Sequence, residues 1–126
     1  MTNRVPERGH AVWIEKDPQA GHEQRGRRPA LVMSPASYNG KVGLVLICPI
    51  TSRIKGYPFE VVIPEGLKVS GAVLADQVKS LDWRARKARL ICVLPADTVA
   101  ATLSRLSPLL DPVVSTRSRV LRDRRA

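Results

Sequence analysis

Aromatic side chains are scarce in this chain: two Trp, two Tyr and one Phe make up 4% of 126 residues. Few flat surfaces are available for stacking rings or bases. Cysteine is scarcer still. Cys48 and Cys92 each lie inside an apolar run. They offer no disulfide framework and no paired CxxC for a metal, and are read as small buried hydrophobes in a reducing compartment. The longest uncharged apolar run covers residues 42–50, well short of the roughly 20 residues a membrane helix needs. No apolar block follows the charges of the N-terminal Met1-Thr-Asn-Arg-Val-Pro-Glu-Arg-Gly, so a secretory signal peptide is not expected and a cytoplasmic location is. There is no glycine-rich phosphate loop and no HExxH. Carboxylates never cluster: Glu15-x-Asp17 and the pair Asp76 and Asp82 stand apart. That disfavours a divalent-metal nuclease, and neither a cofactor nor a metal site is expected.

Acid is also short of base. The 11 Asp plus Glu face 21 Lys plus Arg, a net charge of +10. Residues 112–126 hold Arg117, Arg119, Arg122, Arg124 and Arg125 against Asp123, a net of +4 that leaves +6 on the remaining 111 residues. A basic body of this kind favours polyanions, with plain solubility as the competing reading. Hydrophobic residues at 44% supply a core, so wholesale disorder is excluded. One domain is expected over residues 1–111, followed by a frayed basic tail at 112–126 that adds non-specific phosphate affinity.

Short apolar runs bounded by turn residues predict strands at residues 11–14, 30–33, 42–48, 59–63, 72–79 and 90–94. Polar, Pro- and Gly-bearing stretches at 15–28 and 51–58 read as long loops, and 34–40 as a turn built on Asn39-Gly40. From Pro95 the period changes to three or four residues, with Val99, Thr102/Leu103, Leu106 and Leu110 on one face. Pro95 suits the first helical position, Asp97 the first turn, and Pro108 ends the helix near Ser107. The expectation is a mainly β domain of five to seven strands with one late helix, a strongly bent sheet or partly open barrel.

His10 precedes a strand and His22 lies in a loop. An acid/base pair is a weaker reading for them than two exposed or hydrogen-bonded imidazoles. The segment Glu23-Gln-Arg-Gly-Arg-Arg28-Pro29 sets three arginines beside one carboxylate at the mouth of a strand. Pro29 biases Arg28 towards an extended backbone, so Arg28 should be held more rigidly than a loop-tip residue. A solvated basic turn is an equal reading from composition alone. Thr51 and Ser52 are, on their own, most simply strand-end hydroxyls serving their own turn.

The stretch His22-Glu-Gln-Arg-Gly-Arg-Arg-Pro-Ala-Leu-Val-Met-Ser-Pro35 resembles the loop and second strand of the MazF/PemK toxin endoribonucleases. So do Cys48-Pro-Ile-Thr51-Ser52, Lys55-Gly-Tyr-Pro-Phe-Glu-Val-Val62, and Leu74-Ala-Asp-Gln-Val-Lys-Ser80 followed by Asp82-Trp83-Arg-Ala-Arg86. These blocks keep the family's order over roughly residues 8–107. The resemblance implies an SH3-like barrel with a C-terminal helix, usually a homodimer. It implies metal-independent, sequence-specific cleavage of single-stranded RNA, leaving a 2′,3′-cyclic phosphate and a 5′-hydroxyl and so halting translation. It also implies a MazE-like antitoxin with an acidic C-terminal segment, DNA contact only through that antitoxin, and no membrane partner.

Arg28 matches the family's catalytic arginine, and its guanidinium can fork two hydrogen bonds onto phosphate oxygens. The resemblance also assigns it acid/base work, but a guanidinium holds its proton too tightly to be a good base. Glu23 stands beside it, either as proton acceptor or as the group that orients Arg28. Thr51 matches the second catalytic position, and Ser52 and Gln77 are read as ligands of phosphate or base. Lys16, Arg25, Arg27, Arg53 and Lys55 in the two loops are read as RNA contacts, with Tyr57 as a stacking platform. Trp13 and Trp83 are read as structural, Trp83 at a dimer interface. A non-cleaving CcdB-like toxin and an RNA-binding module of the same fold are the alternatives; Glu23, Arg28 and Thr51 speak against the first.

Overall fold

Apolar runs become strands in the computed structural model, which describes residues 4–16 and 26–111. Among these residues the elements are β1 (His10–Glu15), β2 (Arg27–Val32), α1 (Ala36–Val42), β3 (Leu44–Thr51), β4 (Glu60–Val62), β5 (Ala72–Leu74), β6 (Lys79–Asp82), β7 (Arg89–Val93) and α2 (Ala96–Leu110). All strand pairs are antiparallel. The sheet runs β4-β5-β3-β2-β1-β7 with β6 also on β3, and it stays open. The basic tail at 112–126 lies outside the described residues.

Both faces of the central strands β1, β2 and β3 are largely buried, which is why these strands read as near-continuous apolar runs. On one face Ala11, Leu31, Cys48, Ile50 and Val73 form a cluster, with Val99 and Ala101 of α2 packed against it. On the other, Val12, Ala30, Val32, Val45 and Ile47 gather around Trp83. Neighbouring residues such as Ala11 and Val12 thus point into different clusters, as a period of two requires.

Several boundaries differ from the sequence expectation, and strand pairing or tertiary bonds account for three of them. β3 continues past Cys48 to Thr51 because Pro49 falls where one edge of β3 has no ladder partner. On that edge β6 pairs up to Ile47, and β5 begins at Ile50. A proline without an N–H is tolerated there. The expected strand at 72–79 is two strands. Val73 faces Ile50, but Lys79, rather than Asp76, faces Ile47, so the chain bends between them to change register. The Asn39-Gly40 turn is instead part of α1. Asn39 is fully buried; its amide donates to the carbonyls of Pro6 (2.8 Å) and Ser34 (2.9 Å) and accepts from the Ser34 hydroxyl (2.6 Å). Tertiary bonds override the local turn preference.

In α2, Pro95 is the N-cap rather than the first helical residue, while Asp97 does lie in the first turn. The helix passes through Pro108 to Leu110, and the Asp111 N–H closes the last turn on the Ser107 carbonyl (3.0 Å). So close to the C-terminus the proline removes a single helical bond, and its fixed φ is already helical. The buried stripe is Thr98, Thr102 and Leu106, leaving Leu103 and Leu110 exposed. The Thr102 hydroxyl donates to the Thr98 carbonyl (2.9 Å), so it is buried without an orphaned polar atom. Trp83 is 2% exposed and its indole N–H donates to the Asn39 carbonyl (2.8 Å). It is a core residue of the single chain. Replacing Asn39 by Ala should cost about 2–4 kcal/mol, the sum of three buried hydrogen bonds with two partners left unpaired. Urea unfolding checks this through a lower midpoint at unchanged slope.

Candidate functional site

The start of β2 and the end of β3 are brought together by their antiparallel ladder. Ala30 faces Pro49, and Arg28 and Thr51 each lie two residues farther out at the same end of the two strands. Pro29 faces Trp13 and Arg28 faces Ile14 across β1, so Arg28 is inside a strand, as its place before proline predicts. β2 begins one residue earlier, at Arg27.

Here the surface opens into a groove of about 930 Å³, and Lys16, Arg28, Thr51, Ser52, Arg53 and Gln77 all line it. Six sequence-predicted residues therefore converge. Gln77 comes from the bend between β5 and β6, where its N–H donates to the Leu74 carbonyl (3.1 Å). Three others do not line the groove. Arg27 lies with its guanidinium over the Trp13 ring, 4.3 Å from the centroid. Lys55 stands 5.7 Å from the centroid of Tyr57, both in the loop after Arg53. That loop is anchored by the buried Glu60 carboxylate, which accepts the N–H groups of Lys55 (3.1 Å) and Gly56 (2.9 Å). Glu23 and Arg25 lie outside the described residues, as does His22.

Thr51 keeps both readings of its hydroxyl. Its oxygen accepts the Arg53 N–H at 3.1 Å, a turn of its own making. The hydroxyl proton is thereby directed elsewhere, and it can be donated to an oxyanion in the groove. Arg28 donates from Nη1 to the Arg27 carbonyl (3.1 Å). A guanidinium carries five donors, so this bond does not exhaust it.

The groove also holds residues the sequence reading missed. Trp13 lines it, half-buried, instead of being purely structural. Lys79 and Arg86 add two cations. Arg86 donates from Nη1 to the carbonyls of Glu15 (3.1 Å) and Lys16, and its own carbonyl accepts the Glu15 N–H (2.9 Å). It clamps the chain where β1 gives way to the segment that carries Glu23. No carboxylate lines the groove among the described residues. Cations and hydroxyls without acid make an anion site.

Gly71 is the least visible contributor. It sits at φ +115, and a Cβ there would lie 2.0 Å from the Thr51 carbonyl oxygen. Only glycine lets β5 approach β3 at the residue that carries the hydroxyl. Two other chemistries fall away. Burial, with a smaller contribution from Asp76, pushes the Cys48 thiol up to about 11, so it is not a nucleophile at neutral pH. Burial and the charge of Arg4 lower the pKa of His10, whose Nδ1 accepts the Glu7 N–H (3.2 Å). His10 lines a different cavity.

Fold and groove together define a small open-sheet β protein whose cationic groove is lined by an arginine and a threonine hydroxyl. Comparison with known proteins makes the class specific. Residues 7–110 match the family described as PemK-like, MazF-like toxin of type II toxin-antitoxin system, and the chain belongs to that family. It is 54% identical over 88 residues to the Endoribonuclease toxin MazF of Escherichia coli (strain K12), covering 70% of this chain and 78% of that one. A crystal structure of MazF (Form-I) from Deinococcus radiodurans superposes with a TM-score of 0.77 at 58% identity, over 86% of this chain and 98% of that one. A MazE-MazF complex (Form-II) from the same organism gives 0.77 at 52% identity, over 86% and 97%.

Gly71→Ala should strain both the backbone and the Thr51 carbonyl, at about 1–3 kcal/mol. At roughly 4–8 °C per kcal/mol the melting midpoint should fall by at least about 5 °C, readable by circular dichroism.

Proposed function

We propose that the chain is the toxin of a type II toxin–antitoxin pair and an endoribonuclease that cuts single-stranded RNA at a specific word without a metal, halting translation. The observation that carries this reading is that Arg28 and Thr51 line one groove with further cations, in a chain of this family. RNA brings its own nucleophile, the 2′-hydroxyl. The protein has only to accept that proton, return one to the leaving oxygen, and stabilise the charge that gathers on phosphorus. Arg28 forks onto the non-bridging oxygens, and the Thr51 hydroxyl donates to the same phosphate. Glu23 is the better proton acceptor, because a guanidinium holds its proton too tightly to work as a base at neutral pH. Attack expels the 5′-oxygen and leaves a 2′,3′-cyclic phosphate and a 5′-hydroxyl. Ser52, Arg53, Gln77 and Lys16 hold the strand, and Trp13 with Arg27 on its ring offers a flat platform for a base.

The partner is a MazE-like antitoxin whose acidic segment competes for the same cations; its DNA contacts are the antitoxin's own. The working unit is a homodimer. The exposed apolar side chains Leu103, Leu109 and Leu110 of α2 and Val62 of β4 support this, since an interface would cover such groups. Arg105 of α2 binds the Glu60 carbonyl (3.0 Å), so helix and strand present that surface together. No helix among the described residues is long and apolar enough to cross a membrane, and the cytoplasm, where RNA is translated, is the proposed location. The tail at 112–126 adds non-specific affinity.

Purified protein incubated with a mixed single-stranded RNA pool in EDTA should cut it at one word, read by mapping 5′ ends. A 2′-deoxy residue at the scissile position should abolish cutting. Thr51→Ala should lower the rate about 10²–10³-fold and Arg28→Ala at least as much, as for loss of an oxyanion donor. An Arg28→Ala variant that cuts at the wild-type rate would remove the role given to it.

Arg53 and Lys55 separate by position. Arg53→Gln should flatten the dependence of log affinity on log salt by roughly 0.7, the value of one single-strand phosphate contact, whereas Lys55→Gln should leave the slope unchanged. Fluorescence anisotropy on an uncleavable RNA measures both.

A further inference from the structure

A second groove, of about 610 Å³, lies at the other end of β1, lined by Arg4, His10, Trp83, Arg84, Lys87 and Arg89 among others. Among the described residues it too has no lining carboxylate. His10 contributes no charge near neutral pH, because burial and Arg4 keep its pKa low. The groove therefore presents four cations.

These cations are not carried by a loose surface loop. The turn 83–88 is closed by its own bonds: the Asp82 carboxylate accepts the N–H groups of Arg84 (3.0 Å) and Ala85 (2.9 Å). The Lys87 N–H donates to the Arg84 carbonyl (3.1 Å), and the Ala88 N–H to the Trp83 carbonyl (3.0 Å). Lys87 takes φ +53, the one non-glycine residue in the left-handed region among those described. Such a conformation in a lysine persists only where its surroundings hold it. Arg84 lies over the Trp83 ring at 4.3 Å, and Trp83 is itself buried and bonded to the Asn39 carbonyl. Asp82, the acid nearest these cations in sequence, accepts backbone N–H groups and does not line the groove.

The two grooves are linked by the same turn. Arg86 lines the first, and Arg84 and Lys87 line the second. β1 connects them as well, from His10 at the second to Ile14 at the first. We propose that the second groove is a phosphate-binding exosite that holds the flanking backbone of the RNA strand whose scissile bond sits between Arg28 and Thr51. The proposal rests on the nuclease reading above. A strand of the length that single-strand sites accommodate, about 4–16 nucleotides, reaches both. A flat guanidinium over an indole also suits a stacked base, which favours RNA over an acidic peptide.

The test uses the full chain and a fully 2′-O-methylated, uncleavable mixed-sequence RNA of about 16 nucleotides, the upper end of such sites. Affinity is measured against salt for the wild type and for Arg84→Gln/Lys87→Gln/Arg89→Gln. Loss of three phosphate contacts should flatten the slope by about 2, so that between about 50 and about 200 mM salt the wild type loses about 20-fold more affinity than the variant. If the triple variant melts early, Arg84→Gln alone, which removes one exposed guanidinium, should flatten the slope by about 0.7. A variant slope equal to the wild type overturns the exosite, even if the wild type cuts RNA. A flattened slope with no cutting by the wild type removes the nuclease reading and leaves the groove as an RNA site. An unchanged RNA slope with lost affinity for a polyglutamate peptide assigns the groove to an acidic protein segment and overturns the proposal.

Discussion

Everything chemical in this molecule depends on the ladder between β2 and β3. With Ala30 opposite Pro49, a guanidinium and a hydroxyl that are 23 positions apart in sequence emerge at one end of two adjacent strands. A slip of one residue would turn each of those strands over and send Val32 and Ile47 away from their cluster. The register is therefore pinned by burial on both faces of the sheet, and the site inherits its geometry from the core. Gly71 completes the arrangement from the opposite edge, since β5 lies against the Thr51 carbonyl with no room for a side chain.

The second constraint is electrostatic. Carboxylates near the grooves are turned to structural tasks. Glu60 holds backbone N–H groups of the loop after Arg53, Asp82 those of the turn at 83–88, and Glu7 those of Arg8 and Ala36. The Ala36 N–H foremost, then that of Arg8, keeps the Glu7 carboxyl below its usual range. Acid is thus used to shape the loops while the cations remain on the surface. Among the described residues, nine cations gather in the two grooves.

Much of this was legible in the residues. β-branched runs bounded by glycine and proline located most strands, and the change of period at Pro95 located α2. Arg28 before Pro29, and Thr51 at a strand end, were identifiable as a rigid cation and a terminal hydroxyl. What was not legible depended on partners far away in sequence. The Asn39-Gly40 dipeptide favours a turn, but Asn39 is buried and bonded to Pro6 and Ser34, so a helical turn prevails. The stretch 72–79 reads as one strand because a change of register leaves no mark in hydrophobicity. Trp13 reads as core because its neighbours are core. Lys55 and Tyr57 read as site residues because they are near Arg53 in sequence, yet the Glu60 anchor holds their loop so that neither lines the groove.

The order of apolar, turn and charged residues, taken alone, determined a small basic β protein with a late helix and the chemical kinds at its site, because side-chain burial and backbone preference act locally. Which cations share a groove, how close β5 comes to Thr51, and that Arg84 and Lys87 face a second cavity while Arg86 faces the first were decided only by tertiary structure. Those distances are set by strand register and by hydrogen bonds between residues remote in the chain, and no local pattern encodes them.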